Sequence, residues 1–202
     1  MENIILNNGV KMPNFGLGTY LVSPKDAEVT VRESLKMGYR LIDTANAYVN
    51  ERAVGRGIKE SGVDRKEIFL STKLWITEYE NEKAVDETLE RLGLDYIDLL
   101  FIHQPGENYK EGYRKLEKAY KEGKIKAIGI SNFEGKYIKE LLENWEIKPQ
   151  VIQVEAHPYF TQDELRKILD KEDIKMMSLF LLGDWDSKLM NEDIFKKLAE
   201  KY

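Results

Sequence analysis

Ile97-Asp98-Leu99-Leu100-Phe101-Ile102-His103 is an almost unbroken apolar run of strand length that ends on a titratable side chain. Residues with helical periodicity follow at about 110–122, and a second run of the same kind, Lys126 to Ser131, comes after them. A strand reads as continuously apolar when helices cover one of its faces and a packed interior covers the other, as in parallel sheets. Working outward, the same unit recurs. Further runs are Phe15 to Gly18, Tyr39 to Asp43, Ile68 to Lys73, Val151 to Glu155 and Ile174 to Leu182, with helical segments near 51–61, 80–92, 134–144, 161–171 and 191–201. The first helix is signalled by Ser23-Pro24-Lys25-Asp26, which supplies an N-cap, a proline at the first helical position and an acid in the first turn, with Gly38 where it should end. Ahead of all this, Asn8-Gly9 lies between Ile4-Ile5-Leu6 and Val10-Lys11-Met12 and predicts an N-terminal β-hairpin.

Strand–helix alternation of this kind predicts an α/β fold with a parallel sheet. The first strand–helix turn has no GxGxxG loop, so a TIM (β/α)8-type barrel fits better than an open doubly wound sheet. Seven strands leave that barrel without its eighth βα unit, and 202 residues fall short of the usual length of about 250. No linker or low-complexity tract divides the chain, so residues 1–202 are expected to form one barrel domain shortened at its C-terminal end.

Composition narrows the chemistry. The net charge of −5 offers no positive field for a polyphosphate backbone, which argues against a nucleic-acid partner. No stretch is long and apolar enough to span a membrane, and the N-terminus does not open as a signal peptide; a cytoplasmic protein is expected. There is no cysteine, which excludes disulfides and thiolate chemistry, and imidazole chemistry is left to His103 and His157. With two histidines and no H-x-H or H-E-x-x-H spacing, a metal-dependent hydrolase is a remote reading.

In parallel α/β folds the site forms at the C-terminal ends of the strands. Here those ends carry Asp43, Lys73, His103, Ser131-Asn132, and Gln153 with Glu155, while Tyr48 lies on the loop just past Asp43. Each residue alone has a structural explanation, as a cap, a rim charge or surface cover. Together they form a proton-transfer set. A free tyrosine is a poor acid near neutral pH, and a lysine cation beside it should stabilise its phenolate, with Asp43 keeping Lys73 charged. A neutral His103 can donate a hydrogen bond to a carbonyl oxygen and orient it toward Tyr48. Such a set protonates oxygen while a hydride reaches carbon, and the hydride must come from a cofactor.

The motifs Gly16-Leu-Gly-Thr19, Leu41-Ile-Asp-Thr-Ala45, Tyr48-Val-Asn-Glu51, Ser71-Thr-Lys73, Ile97 to His103, Ile128-Gly-Ile-Ser-Asn-Phe133 and Gln153-Val-Glu155 occur in this order. They resemble the aldo-keto reductases through essentially the whole chain. The resemblance implies NADPH-dependent reduction of aldehydes or ketones, with Asp43, Tyr48, Lys73 and His103 as the catalytic four. It assigns Gly18, Thr19, Asp43, Ser131, Asn132, Gln153 and Leu182 to the cofactor, and Tyr20, Trp75 and His103 to a small-molecule carbonyl substrate. Two departures stand out. Leu179 and Leu181 occupy the places of the family's aromatic and proline in the seventh strand, and the family continues past Tyr202 into an eighth strand and a basic segment that grips the adenosine phosphate. The expectation is weak NADPH binding with little preference over NADH. The alternative is a weak or inactive shortened homologue that keeps a small-molecule or partner site. Open edges on the first and seventh strands should be covered by the final helix, through Ile194, Phe195 and Leu198, or by a homo-oligomer, and the sequence favours the oligomer.

Overall fold

The computed structural model describes residues 2–183 and 187–201. Two short antiparallel strands, β1 (Asn3–Ile5) and β2 (Lys11–Pro13), form the expected hairpin. Seven parallel strands follow: β3 (Gly16–Gly18), β4 (Leu41–Asp43), β5 (Phe69–Leu74), β6 (Leu99–Ile102), β7 (Ile128–Ser131), β8 (Val151–Glu155) and β9 (Lys175–Leu179). They lie side by side in chain order, β3 to β9, as an incomplete barrel of the TIM type. The helices are α1 (Pro24–Lys36), α2 (Glu51–Ser61), α3 (Ala84–Leu92), α4 (Tyr109–Lys121), α5 (Lys136–Asn144), α6 (Asp163–Glu172), α7 (Ser187–Met190) and α8 (Asp193–Lys201). At the start of α1 the Ser23 hydroxyl accepts from the Asp26 amide at 3.2 Å and donates to the Asp26 carboxylate at 2.6 Å, so the capping signal in the sequence is realised. Ala27, Val31 and Leu35, one helical turn apart, are the face of α1 that is buried.

Period-two alternation gives the strands two different faces. Ile42, Leu70, Leu100, Ile102, Ile130, Ile152 and Val154 join the core beneath the helices. The intervening residues line the barrel interior, and there composition changes along each strand. Leu41, Phe69, Leu99, Phe101, Ala127 and Val151 pack at its lower end against Leu6 and Met12 of the hairpin, which plugs the floor. Two or four positions further along, the same faces carry Asp43, Ser71, Lys73, His103, Ser131 and Gln153, all buried. Gly129 pairs with Phe101 in the ladder, and a Cβ on it would stand 2.3 Å from the Phe101 ring, so this glycine makes room for the largest side chain of the floor.

The two edges stay open among the described residues. β3 and β9 each have a neighbour on one side only. At the rim, the rings of Tyr20 and Phe180 approach to 6.2 Å across the gap. The final helix does not cover the seam: α8 has no buried residue, and Ile194 and Leu198 are exposed. β9 also ends at Leu179 rather than Leu182, because Phe180 adopts a left-handed φ of 52° and the Gly183 amide closes a turn on its carbonyl at 2.7 Å. The short helix α7 was not signalled by periodicity, being only 4 residues long.

Where α2 meets α3, a Cβ on Gly55 would lie 1.9 Å from the Leu92 carbonyl oxygen. Backbone cannot yield as a flexible side chain would, so Gly55→Ala should cost about 1–3 kcal/mol through overpacking. For a domain of this size that is a loss of roughly 2–4 °C in Tm per kcal/mol. An unchanged thermal midpoint would show that α2 and α3 can separate freely.

Candidate active site

Asp43, at the end of β4, and Lys73, on β5, form an ion pair of 2.7 Å inside the sheet, with the Lys73 side chain 1 % exposed. Charges so far from water persist only when their remaining donors and acceptors are met. Lys73 Nζ also donates to the Thr44 carbonyl at 2.9 Å. The carboxylate accepts from Ser71 Oγ at 2.6 Å and from Gln153 Nε2 at 3.3 Å. Asp43 is therefore the hub of the site. Its backbone carbonyl is held by the amide and hydroxyl of Thr19, at 2.9 and 3.1 Å, which fixes the end of β3 against β4.

Tyr48 sits on a short 3-10 turn, Asn46–Tyr48, and its ring centroid is 5.3 Å from Lys73 Nζ. Burial, then the Asp43 charge and Tyr20, push its phenol above the ordinary tyrosine value. This corrects the expectation that Lys73 would lower it. The lysine's charge is already matched by Asp43, and desolvation of the phenolate outweighs what remains.

His103 follows β6 and stands edge-on to Trp75, at 4.9 Å between centroids, and to Tyr48, at 5.9 Å. Burial, then the neighbouring Lys73 charge, push its pKa down to about 4. The ring is neutral near pH 7. Its Nδ1 is buried with no hydrogen-bond partner among the described residues. An orphaned buried N–H is rarer than an orphaned acceptor, so the proton belongs on Nε2, which makes that atom a donor.

The other expected positions are distributed around this centre. Asn132 takes a left-handed φ of 63°, and its Nδ2 donates to the His103 carbonyl and to Ser131 Oγ, both at 3.2 Å. It does not cap α5, whose N-cap position is Gly135 with no side-chain bond. Gly18 faces open space, since a Cβ there would touch nothing within 4 Å. Tyr20 packs on Tyr48 at 5.2 Å. Leu182 lies half exposed past β9, and Glu155 turns away to His157 Nε2 at 3.1 Å.

Three contributors were not read from sequence. Phe180 is aromatic and joins Tyr20 at the rim, between the aliphatic Leu179 and Leu181. Asn50 is 1 % exposed and bonds to Thr44, Thr19 and Val22. Glu51, buried at the start of α2, accepts from Thr72 at 2.7 Å and from Arg91 at 2.6 Å, and burial pushes its carboxyl up. The Tyr48-Val-Asn-Glu51 motif contained the last two, but nothing in its spacing says which carbonyls or cations they meet.

The imidazole carries a pH consequence. Unfolded His103 takes up a proton as pH falls through about 6.5, whereas the folded residue resists until about 4, so stability should decline across that window and level off below it. The shift is worth up to about 3 kcal/mol. His103→Gln lacks this titration, so its urea-unfolding free energy should fall less between pH 7 and pH 4 than that of the unaltered chain. Equal falls would return the imidazole to an ordinary pKa.

Comparison with known proteins bears on this geometry. The Aldo/keto reductase family matches residues 13–191. The chain is 46% identical to glyoxal reductase of Bacillus subtilis (strain 168), covering 100% of this chain and 74% of that protein. It is 40% identical to 9,11-endoperoxide prostaglandin H2 reductase of Trypanosoma cruzi (strain CL Brener), covering 98% and 72%. Among solved structures, an aldo/keto reductase from Brucella melitensis superposes with a TM-score of 0.92 at 40% identity, covering 99% of this chain and 78% of that one. An aldo-keto reductase from Bombyx mori, solved in complex with NADP, gives 0.83 at 34% identity, covering 89% and 66%. The chain belongs to the aldo/keto reductase family.

Proposed function

We propose that this chain reduces aldehydes or ketones to alcohols with NADPH, using Tyr48 as the general acid. The observation that carries the reading is the buried Asp43–Lys73 pair, with Tyr48 and a neutral His103 set around it on neighbouring strand ends. When bound, NADPH supplies the hydride, the one component no side chain provides. The residues at the rim suit its nicotinamide end: the hydroxyl of Ser131 and the amides of Asn132 and Gln153 are hydrogen-bonding groups at adjacent strand ends, and Gly18 leaves open space. The Bombyx mori relative with NADP supports the same cofactor.

The roles of the chain's own groups follow from their electrostatics. Nε2–H of His103 donates to the substrate carbonyl oxygen and aims it at Tyr48. The raised pKa of Tyr48 keeps the phenol protonated until alkoxide character develops on that oxygen, a far stronger base than phenolate. As the proton leaves, negative charge appears on Tyr48, and the Lys73 cation 5.3 Å from the ring stabilises it. Tyr20, Trp75 and Phe180 give the mouth an aromatic wall suited to the apolar part of a carbonyl compound.

The open edges of β3 and β9, and the unburied face of α8, favour a second proposal, that copies of the chain associate through the seam. Mass measured by light scattering should rise with concentration over the micromolar range. A monomer throughout, with a sharp cooperative melt, would overturn association.

The reductase reading is tested by NADPH consumption with simple aldehydes. Tyr48→Phe should lower turnover by about 10²–10⁴-fold, the usual worth of a positioned general acid. A rate close to that of the unaltered chain would remove Tyr48 from the mechanism. Protein that binds NADPH yet consumes none with any aldehyde or ketone would overturn the reading in favour of a binding-only homologue.

A further inference from the structure

Tyr20 and Tyr48 come from different loops, and both loops are built on backbone that the local sequence does not favour. Leu21, directly after Tyr20, has a φ of 59°, and Val49, directly after Tyr48, has a φ of 57°. Neither is glycine, and Val49 is β-branched, the type least tolerant of this region. Nor does side-chain packing offset the strain: Leu21 is 80% exposed and Val49 is 81% exposed. Strained turns of this kind persist only when the surroundings over-determine them.

Each turn closes on its own backbone bond, Val22 N–H to the Thr19 carbonyl and Val49 N–H to the Asn46 carbonyl at 3.2 Å, and one buried side chain reaches across both. Asn50 Nδ2 donates to the Thr19 carbonyl and to the Val22 carbonyl, each at 3.0 Å, so its two bonds bracket Tyr20 and Leu21. Its Oδ1 accepts from Thr44 Oγ1 at 2.7 Å, which anchors it to the end of β4 next to Asp43. In the chain it adjoins Val49, and its own carbonyl accepts from the Ala53 and Val54 amides at 2.9 Å, locking it into the first turn of α2. One amide therefore ties the Tyr20 loop, the Tyr48 turn and the strand end of the ion pair.

We propose that Asn50 is a positioning residue that joins the Tyr20 loop and the Tyr48 turn into a single jaw, so that a substrate seated against Tyr20 sets the aim of the Tyr48 hydroxyl. The proposal rests on the reading of Tyr48 as proton donor. A displacement of about 1 Å at a reacting group can cost on the order of 10²-fold in rate, so slack at Asn50 should appear at Tyr48 although Asn50 touches no substrate.

Two readouts test it, and one of them needs no activity. In Asn50→Ala, amide hydrogen exchange should accelerate together in residues 19–22 and 46–50, while 128–131 on β7 keep their protection. kcat with a simple aldehyde should fall about 10–100-fold, with NADPH affinity, followed by Trp fluorescence, unchanged. Tyr20→Ala and Asn50→Ala should be non-additive in kcat, because either one disables the same jaw. Should Asn50→Ala fail to fold, Thr44→Val removes one of the three bonds and should give the same pattern at smaller amplitude. Exchange that speeds in only one of the two segments overturns the jaw, as does an unchanged kcat with both segments loosened. If Tyr48→Phe is itself without effect, the function reading has failed, and the paired exchange alone decides whether Asn50 couples the loops.

Discussion

The Lys73 ammonium and the Asp43 carboxylate, 2.7 Å apart, stand almost out of reach of water, and much of the structure answers to that fact. Removing one partner from a buried pair leaves an uncompensated charge, typically a loss of about 3–5 kcal/mol. The pair therefore needs more than itself. Ser71 lies beside it in the ladder, Thr44 lends a carbonyl from the next residue, and Gln153 reaches it from β8, four strands away in the sheet order from β4. A flat sheet would hold β4 and β8 much too far apart for that bond, since neighbouring strands are spaced about 4.8 Å. The curl of the sheet and the solvation of the ion pair are thus one requirement.

The same pair divides the interior into regions of different character. Below it the barrel is apolar and stopped by the hairpin; around it lie groups whose charge states burial has pushed toward neutrality, the imidazole of His103 downward and the phenol of Tyr48 upward. Two neutral donors beside one matched ion pair is an arrangement that can hand over a proton without first accommodating a net charge in low dielectric.

Much of this could be read from the sequence, and the misreadings have definite causes. Strand order, the hairpin, helix α1 with its cap and the gathering of Asp43, Tyr48, Lys73 and His103 at one rim were legible because each depends on local patterning or on which residue ends a strand. The direction of the Tyr48 shift was not, since it turns on whether Lys73 has charge to spare, which only the 2.7 Å pairing reveals. Phe180 escaped notice because alternation places neighbours of Leu179 on the opposite face, and a left-handed residue breaks that rule without a glycine to announce it. The final helix has an apolar stripe at helical spacing, but periodicity says that a helix has a face to bury and not what will bury it.

Strand order has a consequence for how the molecule is made. Because β3 to β9 are neighbours in chain order, every strand leaving the ribosome finds its partner already present, and no later segment must be inserted between two earlier ones. Among the described residues a few hydrogen bonds tie the early strands and the hairpin to segments made much later: Asn8 to Tyr120 and Lys126, Asn7 to Pro149, the Gln150 amide to Asn7, and Gln153 to Asp43. These long-range links close the floor and the rim, and by loop-closure entropy they should be the last contacts to form. Until β8 arrives, the Asp43 carboxylate lacks the donor that Gln153 brings, so from the synthesis of residue 73 to that of residue 153 water must stand in for that side of the ion pair.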